Sequence, residues 1–92
     1  MKREGRRGRP SRRSDVFDRP LEEEAVLYDP ADSVMHTLNA TAALIWRLCD
    51  GTHTPEEIAR GVCEKYDGDP ERVLKDVHST LEQLHRKKLL KH

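Results

Sequence analysis

Apolar positions change their spacing partway along the chain, and the change separates strands from helices. Val34-Met35-His36-Thr37-Leu38 alternates, with Val34, His36 and Leu38 on one face and Met35 and Thr37 on the other. Ala25-Val26-Leu27-Tyr28 reads as the preceding strand, and the polar run Asp29-Pro30-Ala31-Asp32-Ser33 as the turn of a hairpin. Val16-Phe17-Asp18-Arg19 is a weaker strand beside it, with Pro20 suited to an edge or an end.

After Leu38 the spacing becomes helical. Asn39 is placed to cap a short helix in which Ala42, Ala43, Ile45, Leu48 and Cys49 repeat at helical intervals. Leu44 and Trp46 widen its apolar face, and Gly51 is its expected stop. A helix this short is unstable alone in water, so it must pack on what flanks it and form the centre of the core. Thr54-Pro55-Glu56-Glu57 signals a second helix: a cap, a proline in the first turn and a glutamate for a capping box. Ile58, Ala59, Val62, Cys63 and Tyr66 are its buried stripe, and Gly68 its expected stop. Asp69-Pro70-Glu71 opens a third helix by the same logic. Its residues Val73, Val77, Leu81 and Leu84 share one face. Arg86-Lys87-Lys88 suits its negative pole, and Leu89 and Leu90 are expected to fold back onto the core. Three short antiparallel strands followed by three helices predict a small α+β domain, helices on one face of the sheet.

Charge adds a division that the neutral total conceals. Residues 1–13 hold seven basic residues against one glutamate, a net +6, while residues 14–92 hold ten basic and sixteen acidic residues, a net −6. Residues 1–14 are rich in Arg, Gly and Ser and have nothing apolar to bury, so a disordered basic tail is expected there and the folded domain over 15–92. Such a tail either stays solvated or meets an acidic surface or nucleic acid, the latter through Arg3, Arg6, Arg7, Arg9, Arg12 and Arg13. No apolar run approaches the ~18 residues of a membrane span. No apolar segment follows the basic N-terminus as in a secretory signal, so no membrane partner is expected and the cytoplasm is the expected compartment. Cys49 and Cys63 lie at apolar helical positions and read as buried free thiols ahead of a disulfide; without paired histidines they form no zinc site. No phosphate-binding glycine loop, metal triad, nucleophile–base pair or three-cysteine cluster is present, so neither catalysis nor a cofactor is expected.

The succession of these pieces resembles the PqqD family. The resemblance runs from about Val16 to Leu90. It is carried by Ala25-Val26-Leu27-Tyr28-Asp29-Pro30, by His36-Thr37-Leu38-Asn39-Ala40-Thr41-Ala42-Ala43-Leu44-Ile45-Trp46, and by Asp50-Gly51-Thr52-His53-Thr54-Pro55-Glu56-Glu57-Ile58. Two features depart from the pattern. Lys88 stands where a glycine is expected before the final apolar pair, and the Arg-rich tail lies outside it.

The resemblance implies a winged helix-turn-helix fold and a role as a RiPP recognition element, a peptide chaperone of pyrroloquinoline quinone and related natural product biosynthesis. The leader segment of a ribosomal precursor peptide would add as a strand beside the third strand, facing the third helix. It would then be presented to a maturation enzyme, a radical-SAM protein or a leader peptidase. Carried onto this chain, the edge is Val34, Met35, His36, Thr37 and Leu38. The opposite wall is Lys75, His78, Leu81, Glu82 and His85, and the apolar anchors are Met35, Leu38, Val77, Leu81 and Leu84. Core packing is the competing reading of Val77 and Leu84, and Met35 stands between groove and core. His36 and His78 are candidates for a pH response, with ordinary surface or packing histidines the stronger reading. The helix pair and basic arm also fit a winged-helix DNA-binding protein. The third helix, however, sets Glu71, Asp76 and Glu82 against Arg72 and Lys75, a poor charge pattern for a duplex.

Overall fold

The structure, a computed structural model, describes residues 9–91. Its elements are β1 (Phe17–Leu21), β2 (Glu24–Asp29), β3 (Val34–Leu38), α1 (Ala40–Leu48), α2 (Pro55–Tyr66) and α3 (Pro70–Arg86). The strands form one antiparallel sheet in the order β1-β2-β3. This is the predicted α+β fold of three antiparallel strands followed by three helices.

Alternation sets the two faces of the sheet. On central β2, Ala25, Leu27 and Asp29 are buried and point toward the helices. Ala25 pairs with Leu38, Leu27 with His36 and Asp29 with Val34. Phe17, Tyr28 and Met35 pair in register across the opposite face. β1 runs to Leu21 rather than stopping at Arg19, and Val16 is buried just ahead of it. The strand continues through Pro20 because an edge position needs no second ladder bond there. A two-residue turn, Glu22-Glu23, joins β1 to β2 with Glu22 at φ 58°, and no glycine or asparagine advertises it.

The helices start where their caps place them. Asn39 Oδ1 accepts the Ala42 N–H at 2.9 Å. Thr54 Oγ1 accepts the Glu57 N–H at 3.2 Å and Glu57 Oε1 accepts the Thr54 N–H at 2.9 Å, a complete capping box. Asp69 holds the N-cap position of α3, but its side chain makes no capping bond. The stops differ from expectation. α1 ends at Cys49, and Gly51, at φ 85°, serves the turn that follows. α2 ends on Asp67, which takes the left-handed conformation at φ 58°. Gly68 is needed for a different reason: a Cβ there would lie 2.8 Å from Val73 Cγ2, so the glycine lets α3 begin close beside α2.

α1 is the hub. It packs on β2 and β3 and also on α2 and α3, and among the described residues neither α2 nor α3 brings a Cα within 8 Å of any strand. Leu27, Ile45, Ile58, Val77, Leu84 and Leu89 are fully buried around it. Each such side chain contributes about 1.5–3 kcal/mol by leaving water. Trp46 belongs to this core and donates its Nε1–H to the Leu89 carbonyl at 3.2 Å, while the Arg12 guanidinium lies 5.5 Å above its ring. Leu89 and Leu90 fold back as expected. Cys49 is buried and donates to the Ile45 carbonyl, and burial pushes its thiol up to about 12. Cys63 is half-buried, and both thiols are free.

Residues 10–13, expected to belong to the tail, lie against the domain. Expected disorder over residues 1–8 falls outside the described residues, but Pro10 to Arg13 form a strap between the α1–α2 loop and the end of the chain. Gly51 N–H donates to Pro10 O at 3.0 Å, Arg12 N–H to Cys49 O at 2.7 Å, and Lys91 N–H to Ser11 O at 2.7 Å. The reason is that Arg12 and Arg13 find partners in the domain. Arg12 Nη1 donates to the Arg47 carbonyl at 2.6 Å, and Arg13 pairs with Asp15 and Asp29. Neither is a free basic group for nucleic acid; Arg9 is exposed, and Arg3, Arg6 and Arg7 lie outside the described residues.

Lys88, the departure noted in the sequence, has φ 62°. This left-handed angle is one that a glycine adopts freely and that costs a lysine about 1–2 kcal/mol. Lys88→Gly is expected to stabilise the domain by about 1 kcal/mol after the added freedom of the unfolded glycine. Thermal denaturation should show a rise of roughly 4–8 °C; an unchanged or lower midpoint would contradict the strain.

Candidate functional site

A three-stranded sheet has two edges, and here they differ. β1 carries Pro20, which lacks a donor and spoils the edge for further pairing. β3 has no proline. In an antiparallel ladder every second residue turns its N–H and C=O away from its partner, so β3 presents a row of such groups to its free side.

Side chains flank this edge on both faces. On the helix side Leu38 is buried beneath α1, His36 is half-buried and Val34 is 40% exposed. Cover on that face therefore thins from Leu38 towards Val34. On the other face Thr37 is exposed and Met35 is 65% exposed. Met35 is thus neither core nor helix-side groove. It ends an apolar row across the sheet with Tyr28 and Phe17, whose rings stack at 6.3 Å. The strong exposure of Phe17 was not anticipated, although its alternation with Val16 was a usable signal.

The α3 wall divides the expected residues. Val77 and Leu84 are fully buried and Leu38 on β3 is buried, so all three pack in the core. Packing against α1 and α2 puts Val77 and Leu84 at the centre of the buried stripe. Leu81 is half-buried against the core at the stripe's border. Farther round the helix, His85 and His78 are exposed, followed by Glu82 and Lys75.

A cluster that sequence reasoning missed joins the end of β2, where the turn to β3 begins, to the segment just past α3. Asp29 is 1% exposed, yet its carboxylate is fully engaged. Arg13 Nη1 donates to Asp29 Oδ2 and Nη2 to Oδ1, each at 3.0 Å. Asp29 Oδ1 also accepts the Ala31 N–H at 3.0 Å and the Asp32 N–H at 3.4 Å, which shapes the β2–β3 turn. Arg13 Nη1 donates as well to the Lys88 carbonyl at 2.7 Å. Asp15 takes the remaining side of the fork, from Nε at 3.0 Å and Nη2 at 2.7 Å. The bonds from Arg13 are the largest influence on Asp29 and outweigh desolvation, so its carboxyl lies below the ordinary carboxylate range. A signal existed in the sequence: the period that buries Ala25 and Leu27 also buries Asp29, and a buried carboxylate requires a partner. Which of seven tail cations supplies it was not legible.

Elsewhere, Arg47 grips Asp18 through two bonds of 2.9 Å and ties α1 to β1. Among the described residues no group of His, Cys, Asp and Glu is arranged to hold a metal ion, and no helix is long and apolar enough to cross a membrane. A depression at the β1–β2 turn is lined by Pro20, Leu21, Glu22, Glu23, Glu24 and Ala40, away from the β3 edge.

The family model for coenzyme PQQ synthesis protein D (PqqD) matches residues 24–90, from the start of β2 through Leu90. The chain belongs to the PqqD family. Two solved structures share the fold over nearly the whole chain. "TbiB1 in Complex with the TbiA(beta) Leader Peptide" is 28% identical, with a TM-score of 0.78 over 88% of this chain and 94% of that one. "Lasso peptide synthetase B1 complexed with the leader peptide" is 25% identical, with a TM-score of 0.75 over 91% and 99%. Curated protein sequences give no significant match. Within this PqqD-family chain, the matched span contains Asp29 and Lys88, whereas Arg13 comes from outside it.

The Asp29 cluster predicts a particular acid response. The carboxyl is depressed in the folded state, so its contribution is complete above the ordinary unfolded value of about 3.9 and is lost as pH falls through the folded value. Asp29→Asn should lower the thermal midpoint at neutral pH. Its gap from the parent should stay constant between about pH 5 and 7 and narrow below about pH 4. Melts across this range check it; a gap that is independent of pH would show that the charge on Asp29 is not what stabilises.

Proposed function

We propose that this PqqD-family domain is a non-catalytic peptide-binding module for the leader segment of a ribosomal precursor peptide. The leader adds as a strand beside β3, on the side facing α3, and the domain presents it to a maturation enzyme of the radical-SAM or leader-peptidase type. The observation that carries the reading is the structural likeness, over nine-tenths of the chain, to two proteins whose structures were solved with leader peptides. The open β3 edge supplies the matching chemistry: main-chain bonds give affinity, and side chains beside the edge give selection.

The contact set proposed is Val34, Met35, His36 and Thr37 on the edge, with His78, Leu81, Glu82, Lys75 and His85 as the facing wall. Leu38, Val77 and Leu84 are withdrawn from it because they are buried. A strand seated beside β3 would also lengthen the outer row Phe17–Tyr28–Met35, which favours an apolar peptide side chain opposite Met35. The DNA reading loses support from this structure, since Arg12 and Arg13 are committed within the domain. Action in the cytoplasm, without a cofactor of its own, fits this role.

The test is a fluorescence titration with a labelled synthetic leader from a precursor encoded beside this gene, and a random duplex in parallel at low and physiological salt. Saturable, salt-tolerant peptide binding is expected. Thr37→Pro, which deletes a backbone donor from β3, and Met35→Asp, which charges the outer row, should each weaken it roughly tenfold. Unchanged affinity in both variants, with cooperative melts retained, would remove strand addition at this edge. Duplex binding that persists at physiological salt and survives deletion of residues 1–8, without peptide binding, would restore the DNA reading.

A further inference from the structure

We propose that Arg13 is a positioning residue for the peptide-binding edge, fixing β3 relative to α3 by joining Asp29 and Lys88 through one guanidinium. The inference rests on the leader-binding reading and adds a determinant of that site from outside the family-matched span.

Both ends of the link touch the site's framework. Asp29 faces Val34 across the ladder, and its carboxylate organises the turn that delivers Val34, the first residue of the open edge. Lys88 follows the last turn of α3, held at φ 62° with its N–H donating to His85 O at 3.0 Å. The two elements share the core through Leu38, Val77 and Leu84, but no Cα of α3 lies within 8 Å of β3, so no close backbone contact sets their separation. At the Val34 end of the edge, where core cover is thinnest, the spacing is open to what bridges it. Arg13 bonds to Asp29 twice at 3.0 Å and to the Lys88 carbonyl at 2.7 Å.

The bridge is specific to arginine. Its five bonds, two to Asp29, two to Asp15 and one to Lys88, use donors fixed in one plane. A lysine carries three donors on a single nitrogen and cannot meet a carboxylate fork on one side and another on the next. The strap aims this plane: Arg13 N–H donates to Leu89 O at 3.2 Å, one residue beyond Lys88. An arginine that only strengthened the fold could be weakened without altering the edge. One that sets spacing cannot, because a strand seated between two walls is sensitive to both.

The experiment compares Arg13→Lys, Asp29→Asn and Arg47→Lys with the parent, each well below its melting midpoint. The same labelled leader is titrated, and residual dipolar couplings of the β3 and α3 amides are measured without peptide. Arg13→Lys and Asp29→Asn should bind about three- to thirtyfold more weakly. Their couplings should report a changed orientation of the β2–β3 hairpin relative to α3. Arg47→Lys, which breaks the fork on Asp18 away from the bridge, should bind as the parent does despite its altered stability. Parental affinity together with parental couplings in Arg13→Lys would overturn the proposal and leave a stabilising clamp. If the parent binds no leader, the leader-binding reading falls, and the couplings alone decide whether Arg13 sets the spacing: unchanged couplings overturn it.

Discussion

A carboxylate sits on the inward face of the central strand, and much of the molecule is arranged around the need to pair it. Alternation along β2 leaves no choice: if Ala25 and Leu27 enter the core, Asp29 faces the same way. An unpaired charge there would cost several kcal/mol. The turn after β2 supplies two N–H groups, and Arg13 supplies a fork. That fork draws the N-terminal strap against the domain. It also requires a carbonyl at Lys88 turned toward it, at a left-handed residue just past α3. One ion pair thus coordinates the hairpin, the start of the fold and its end. In a domain this small, where core burial leaves little margin, such a tie has leverage beyond its own energy.

The helical layer leaves the sheet unevenly covered. α1, only nine residues long, is among the described helices the one whose Cα atoms come within 8 Å of the strands. It covers Leu38 and leaves Val34 half open at the far end of β3. A longer covering helix would have buried that face as well. The edge itself is open because, among the described residues, β3 pairs with β2 alone. At the opposite edge Pro20 limits pairing, so the molecule has one edge available and one blunted.

Most of the fold was legible in the sequence because its signals are local. Asn39, Thr54 with Glu57, and Pro70 each mark a helix start through bonds or backbone angles within a few residues. β3 was bounded correctly from its alternation alone. Errors arose where position depends on distant groups. Gly68 looked like the stop of α2, but Asp67 takes the left-handed angle while Gly68 makes room for Val73. Arg12 and Arg13 looked like solvated tail because composition cannot show Trp46 and Asp29 waiting for them. The candidate site was legible in outline, as an edge and a helix. Its membership was not: Val77, Leu81 and Leu84 share a spacing, and only packing separates the buried pair from the border residue.

Reading a peptide by strand addition divides its residues between two surfaces. Main-chain bonds accept nearly any sequence, so selection falls on side chains, and alternate residues of an added strand point to opposite faces. On one face they would meet Val34, His36 and the flank of α3; on the other they would meet Met35 at the end of the Phe17–Tyr28 row. The first surface joins the hairpin to the end of α3 by way of Arg13, so its width answers to the strap. The second lies on the sheet alone and keeps its shape as long as the strands stay paired. Alternate leader positions would then differ in kind: one set sensitive to how the domain is clasped, the other to the apolar row. A change at Arg13 and a change at Met35 would reach the same peptide through different residues of it.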